Sequence, residues 1–161
     1  MPELCGDAID NDGNIYVIED RNGGTIRIDL TEALIEGYFG IRLDRDSLSI
    51  EPRLGTESGR IHVDLPSCGR FAAYEYEYDA PGKRITLRFA SNVPGSGEIR
   101  ILSPWPPGAV LEGAGKRRDS GLETTLDGQT VPHRIEAVLE DEYIAVRSDH
   151  GAHVLSVRRR G

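Results

Sequence analysis

The sequence predicts a mainly β protein: an antiparallel β-sandwich with one short N-terminal helix and a small N-terminal hairpin. Three observations predict this fold. From residue 41 onward, apolar and polar residues alternate with a period of two, which is typical of half-buried strands. Turn-forming residues separate these segments about every 8–12 residues, as they do in sandwiches. No helical pattern lies between the strands, which disfavours a parallel α/β sheet.

The length of the chain fits a single core. Its 161 residues are about one domain's worth. A (β/α)8 barrel needs about 250 residues and is excluded. We expect residues 1–40 to hold the hairpin and the helix, and residues 41–161 to form the β-sandwich domain.

The charge of the chain narrows the range of partners. A formal net charge of −8 repels phosphate backbones and anionic lipid, so we expect neither nucleic acid nor a membrane surface as a partner. No run of about 18 apolar residues occurs that would span a bilayer. The N-terminus lacks the basic and apolar segments of a signal peptide, so a cytoplasmic location is expected.

The N-terminal hairpin is predicted from its turn residues. Clusters rich in Asn and Gly flank residues 15–18, and period-two alternation resumes at residues 25–28. This arrangement predicts two short strands joined at residues 21–24.

The helix is predicted at residues 29–40. Asp29 can cap the first free amides, and Glu32 completes a capping-box pattern. Gly37 and Gly40 provide the signals that end it.

The strand pattern also places the aromatic residues. Tyr74, Tyr76 and Tyr78 share one face of a long strand, and Glu75 and Glu77 share the other. We expect the tyrosines to cover the sandwich core or a partner domain, and the glutamates to face solvent. The predicted strands are 47–53, 61–65, 70–79, 85–89, 98–102, 122–126, 131–138, 143–147 and 153–158.

No metal site or cofactor is predicted. Residues 7–13 resemble a calcium loop, but in that register the first ligand position is Ala8, which has no side-chain oxygen. A polar turn is therefore the preferred interpretation. The four histidines lack the helical spacing of zinc ligands; they are His62, His133, His150 and His153.

No catalytic residue is predicted either. Glu75 and Glu77 lie about 7 Å apart along a strand, a separation compatible with an inverting glycosidase, but both project to the same side and do not face each other across a bond. Ser67 and Cys68 lie in no recognisable nucleophile motif. Cys5 and Cys68 could form one disulfide, and two independent thiols are the preferred interpretation.

A carbohydrate-binding module is the alternative interpretation. Trp105 lies in a proline-rich loop, residues 103–108, and sugar-binding modules stack pyranose rings on such aromatic side chains. In this interpretation Trp105, Tyr74, Tyr76 and Tyr78 form the sugar-binding surface.

Two segments carry a resemblance to a known family. Residues 29–41 read DLTEALIEGYFGI, and residues 46–54 read DSLSIEPRL. This pattern resembles a junction in six-hairpin, (α/α)6-barrel glycoside hydrolases and phosphorylases. There the last barrel helix ends in a Gly-aromatic-Gly-Ile element, and a strand reading Leu-x-Ile-x-Pro-x-Leu opens a C-terminal β-sandwich. The resemblance extends over residues 25–160.

The resemblance implies a role without catalysis for this chain. The family's catalytic carboxylates lie in the barrel, and none of them matches a position here. The chain is therefore expected to be an accessory domain in carbohydrate metabolism that buttresses a catalytic barrel, in the same chain or in another subunit. If it is part of an enzyme, that enzyme is a glycoside hydrolase.

The resemblance also implies which surface of this chain would contact the barrel. In the family this helix faces the rest of the barrel, so Leu34, Ile35, Tyr38 and Phe39 are the expected interface residues. We expect Ile35, Phe39 and part of Leu34 to remain exposed, or to be covered by a barrel subunit or by self-association through this helix and the hairpin before it.

Overall fold

The computed structural model describes residues 8–9, 15–16, 33–106 and 121–160. It confirms the predicted mainly β fold, with two larger sheets that contribute to one apolar core. Within the described ranges, no helix is both long and apolar enough to cross a bilayer. The single described helix is Ala33–Phe39. The strands are β1 Ala8–Ile9, β2 Ile15–Tyr16, β3 Ile41–Leu43, β4 Leu48–Ile50, β5 Gly59–Leu65, β6 Arg70–Asp79, β7 Arg84–Ser91, β8 Ser96–Leu102, β9 Leu122–Leu126, β10 Gln129–Thr130, β11 Arg134–Val138, β12 Asp141–Asp149 and β13 His153–Arg159.

The larger sheet has six strands in the order β10-β9-β13-β7-β6-β5. Each neighbouring pair is antiparallel, as predicted. Its longest strand pair is β6–β7, in which Tyr76 lies opposite Leu87. Period-two alternation along β6 buries Tyr74 and Tyr76 and leaves Glu75 exposed, so the predicted distribution of faces is confirmed.

The second sheet has five strands in the order β11-β12-β8-β4-β3. It departs from a purely antiparallel sandwich at one place, because β4 and β8 are parallel, with Ile50 opposite Ile99. The connection explains the difference. Between β4 and β8 the chain passes through three strands of the other sheet, so no hairpin forces it to reverse direction.

The N-terminal elements are described only in part. Strand β2 pairs with β1, with Ile15 opposite Ile9, a pairing that the sequence did not predict. The predicted pairing of residues 15–18 with residues 25–28 lies outside the described residues. Residues 17–32 lie outside the described residues, as does most of the calcium-like segment. The helix Ala33–Phe39 has the wide π pattern of hydrogen bonds instead of the α pattern that was expected.

Candidate functional site: the junction and the charged sheet face

The junction, defined as residues 33–54, is held by main-chain hydrogen bonds between its first and last parts. The Glu51 amide donates to the Gly40 carbonyl at 2.7 Å, and the Arg53 amide donates to the Tyr38 carbonyl at 3.1 Å. The end of the helix and the segment after β4 therefore run side by side. The two sequence segments that carry the family resemblance are in direct contact.

Gly40 has a structural reason to be glycine. Its φ is +66°, which side chains disfavour. A Cβ added there would lie 1.8 Å from the Glu51 carbonyl oxygen, which is backbone and cannot rotate away. The second glycine of the Gly-aromatic-Gly-Ile element is thus required by the close approach of two backbone segments.

The helix packs firmly on the sandwich. Tyr74 of β6 donates its hydroxyl to the Phe39 carbonyl at 2.6 Å, and the two ring centroids lie 6.3 Å apart. On the other side, a Cβ added at Gly59 would come within 2.7 Å of Leu54 and 3.4 Å of Phe39. The absence of a side chain at Gly59 therefore makes room for both.

The expectation that Ile35 and Phe39 stay exposed is wrong. They are only 7% and 8% exposed and belong to the sandwich core. Leu34 is half-buried against the same core, and Tyr38 alone of the four expected interface residues is exposed. The prediction failed because it underestimated how much of the helix the sandwich can cover. Residues such as Tyr74 cover the side of the helix that faces the sandwich.

A second feature begins at the junction and crosses the outer side of the five-stranded sheet. We call it the charged face. Acidic and basic side chains alternate along it, so each charge has a neighbour of opposite sign. Its members are Glu51, Arg53, Glu98, Arg100, Arg134 and Glu136.

The half-buried end of the charged face lies at the junction. Arg53 donates through Nη1 to the Gly37 carbonyl at 3.0 Å and through Nη2 to Glu51 at 2.8 Å. The hydrogen bond to Glu51 raises the pKa of Arg53 more than burial lowers it. The other oxygen of Glu51 accepts from Arg100 Nη1 at 2.7 Å, so Glu51 joins the helix end to the sheet.

The remaining pairs extend to the edge of the sheet. Arg100 Nε donates to Glu136 at 2.9 Å. Arg134 pairs with Glu136 and, at 2.9 Å, with Glu98. The guanidinium of Arg100 also lies 4.8 Å from the centre of the Tyr143 ring, a cation–π distance. Each of the three carboxylates on this face is therefore engaged by an arginine.

Sequence reasoning missed the charged face. Glu51 and Arg53 occupy the variable positions of the Leu-x-Ile-x-Pro-x-Leu strand. Their alternation with the buried residues Ile50, Pro52 and Leu54 would have placed them on the outer side of the sheet. The pairing of Glu51 with Arg100 depends on the parallel β4–β8 contact, for which the sequence carried no signal.

The aromatic residues of the carbohydrate alternative lie in the core. Tyr74, Tyr76 and Trp105 are 3%, 1% and 6% exposed, and Tyr78 is half-buried. Burial raises the pKa of Tyr74 and of Tyr76. A sugar ring needs an open aromatic face to stack on. The positions of these four side chains therefore lend no support to carbohydrate binding through them.

The candidate carboxylate pair is solvent-exposed. Glu75 and Glu77 lie on the same side of β6, and each is 3.6 Å from Arg88 Nη1. One arginine lies between the two carboxylates, on the side where a substrate would have to bind. This arrangement fits the predicted solvated face.

A cluster of one histidine and two aspartates, His153 with Asp127 and Asp149, connects two turns of the molecule. The Nδ1 atom of His153 lies 2.6 Å from Asp127, and its Nε2 atom lies 2.7 Å from Asp149. The hydrogen bond to Asp127 makes the largest contribution to raising the pKa of His153, and the bonds to His153 lower the pKa of both aspartates. The carboxylates bind opposite sides of the ring and do not converge. In the described part of the chain, no three His, Cys, Asp or Glu side chains are placed to hold a metal ion.

The remaining candidates have local roles. Cys68 is a free, half-buried thiol whose Sγ lies 3.6 Å from the Leu65 carbonyl. The His62 ring stacks on Phe71, and its Nε2 atom lies 3.0 Å from Asp64.

Comparison with known proteins identifies no relative of this chain. No protein-family model matches the chain, and no curated protein or solved structure matches it either.

Proposed function

We propose that this chain is a non-catalytic β-sandwich domain that buttresses a catalytic (α/α)6 barrel of a glycoside hydrolase-like protein, in the same chain or in another subunit. The junction carries this proposal. Its helix leads through Gly40 into β3, and the segment after β4 returns beside the helix end. The motif that resembles the family is therefore the part of the chain that fixes a helix to the sandwich.

The outer side of the helix is the surface offered to the barrel. Ile35 and Phe39 are used by the sandwich core, so the contact must use the opposite side. Tyr38 is 38% exposed there, whereas Leu34 is half-buried against the core. A partly exposed tyrosine is a typical anchor, because its ring supplies apolar area and its hydroxyl supplies a hydrogen bond.

The chemistry of the described side chains agrees with a supporting role. The carboxylates of the charged face are taken up in ion pairs with Arg53, Arg100 and Arg134. Networks of this kind fix the relative position of strands and of the helix end. They leave the junction well ordered for a rigid contact.

A binding experiment tests the proposal. The probe is an (α/α)6 barrel encoded next to this chain in the same genome, in the same or an adjacent reading frame, and produced without its β-sandwich. We expect it to bind the purified chain in isothermal titration calorimetry, and we expect Tyr38→Asp to weaken the binding at least tenfold. Val154→Asp is the matched control, because Val154 is 41% exposed on β13, two strands away from β6, which contacts the helix. A barrel that does not bind the chain, or that binds Tyr38→Asp as tightly as the wild type, would refute the proposal.

A further inference from the structure

We propose that two copies of this chain associate through β11, which pairs with β11 of the second copy in antiparallel register centred on Ile135. The two five-stranded sheets then form one continuous sheet. This contact is separate from the helix surface that is assigned to the barrel, so it does not depend on the proposed function.

Strand β11 is at an edge of its sheet. It pairs with β12 on one side, and no strand among the described residues pairs with its other side. Such an edge presents main-chain N–H and C=O groups to any strand that can align with it. The main-chain groups at this edge can therefore bind another extended strand.

The side chains of β11 select a second copy of the same strand. A twofold axis perpendicular to the joined sheet keeps the outer faces of the two copies on the same side. Because side chains alternate between the two faces along a strand, the axis must then pass between one residue and the same residue of the second copy. A centre on Arg134 would oppose two arginines, and a centre on Glu136 would oppose two glutamates, which is unfavourable. A centre on Ile135 places Arg134 opposite Glu136 of the second copy, and this happens twice.

The same register covers an exposed apolar side chain. Val138 is 45% exposed at the end of β11. With Ile135 at the centre, Val138 lies opposite Pro132 of the second copy, which is also exposed. Pro132 has no N–H to offer, so the ladder ends there. The register that matches the charges thus also matches the apolar residues.

The hairpin tip next to this edge supports a contact role. Leu139 is 101% exposed and has a φ of +57°, a conformation that costs energy for a branched side chain. The two-residue hairpin turn imposes this conformation, and it presents the apolar side chain of Leu139 to solvent next to the β11 edge. In the dimer this tip lies beside residues 131–132 of the second copy.

The contact surface is small, so association is expected to be weak and dependent on concentration. Stable interfaces bury about 1,200–2,000 Å², and one short strand ladder buries less. The network of the charged face would then continue across both copies, from Glu136 of one to Arg134 of the other.

Sedimentation velocity over a wide range of protein concentration tests the association. We expect the average mass to rise towards twice the monomer mass. We expect Arg134→Glu to keep the protein monomeric, because an acidic side chain then lies opposite Glu136 of the second copy in both charged pairs. The control is Arg45→Glu, which makes the same charge change in the turn at the opposite edge of this sheet and should still associate. A monomer at every concentration, or equal behaviour of the two variants, would overturn the proposal.

Disulfide trapping tests the register. Residues directly opposite in an antiparallel pair have Cα atoms about 4.5–5.5 Å apart, within disulfide reach. In a background with Cys5→Ser and Cys68→Ser, Ile135→Cys should form a covalent dimer on mild oxidation. Ala137→Cys should not, because each Ala137 lies opposite His133 of the second copy. Equal trapping of both variants, or preferential trapping of Ala137→Cys, would overturn the register.

Discussion

At the scale of single residues, one glycine within the junction and one just after it can be compared. Gly40 and Gly55 both have positive φ values, +66° and +62°. Only Gly40 faces a backbone atom at 1.8 Å, whereas a Cβ at Gly55 would meet nothing within 4 Å. A comparison of substitutions at the two glycines therefore separates two contributions to the loss of stability: the positive φ, which both share, and the steric contact with Glu51, which only Gly40 has.

We expect Gly40→Ala to destabilise the protein much more than Gly55→Ala. Each pays about 1–3 kcal/mol for a side chain at positive φ, and Gly40→Ala must also push Glu51 away from the helix end. Urea unfolding of the two variants measures the difference. Equal losses of stability would show that the close approach at Gly40 does not constrain the junction.

Phe39 and Tyr38 provide a second comparison of neighbouring residues. Phe39 is 8% exposed and packs near Tyr74, so Phe39→Ala should cost about 3–5 kcal/mol. Tyr38 is exposed, so Tyr38→Ala should cost far less. Chemical denaturation of both variants checks this. Similar costs would contradict the packing of the helix on the sandwich.

At the scale of elements, the turns after β9 and β12 are held together by His153. Asp127 follows β9, and Asp149 ends β12. Asp127 also accepts from the Val154 amide at 2.8 Å, and Asp149 accepts from the Gly151 amide at 2.7 Å. One histidine ring thus connects two turns that are far apart in the sequence.

The stability that this cluster supplies depends on pH. The pKa of His153 is raised in the folded state, so its contribution is complete below its unfolded pKa of about 6.5 and is lost as the pH rises through the folded pKa. The pKa values of Asp127 and Asp149 are lowered. Their contribution is therefore present above about pH 3.9 and is lost as the pH falls through their folded pKa values.

We therefore expect His153→Gln to lose most stability between about pH 4 and pH 6.5, and progressively less above that range. Unfolding free energies of wild type and variant across pH measure this. The Asp127→Asn, Asp149→Asn double variant is the control and should show the same loss of pH dependence. A difference that does not change with pH would contradict the assignment.

The sequence predicted the positions of the strands better than it predicted which strands lie next to each other. The period-two pattern located β6 at Arg70–Asp79 and placed Tyr74 and Glu75 on opposite faces, because alternation is a local property. It carried no information about the parallel β4–β8 pair or about the meeting of Asp127 with His153, because both depend on sheet order. The burial of Ile35 escaped prediction for the same reason.

At the scale of the whole molecule, the proposed buttress role predicts that this chain has no glycosidase activity of its own. The most suggestive carboxylates, Glu75 and Glu77, share Arg88 on an exposed face. We expect the isolated chain to hydrolyse no aryl glycoside above the buffer rate, with Glu75→Gln and Glu77→Gln as controls for contamination. Hydrolysis by the wild type that either substitution abolishes would refute this.

The most direct test of the buttress role is the activity of the barrel with and without this chain. Glycosidase or phosphorylase turnover would be measured for the genome-encoded barrel alone, for this chain alone, and for the two together. The account predicts that this chain alone is inactive. It predicts that the barrel gains activity or thermal stability when the chain is added, and that Tyr38→Asp removes the gain. A barrel that is fully active and equally stable without the chain would contradict the account.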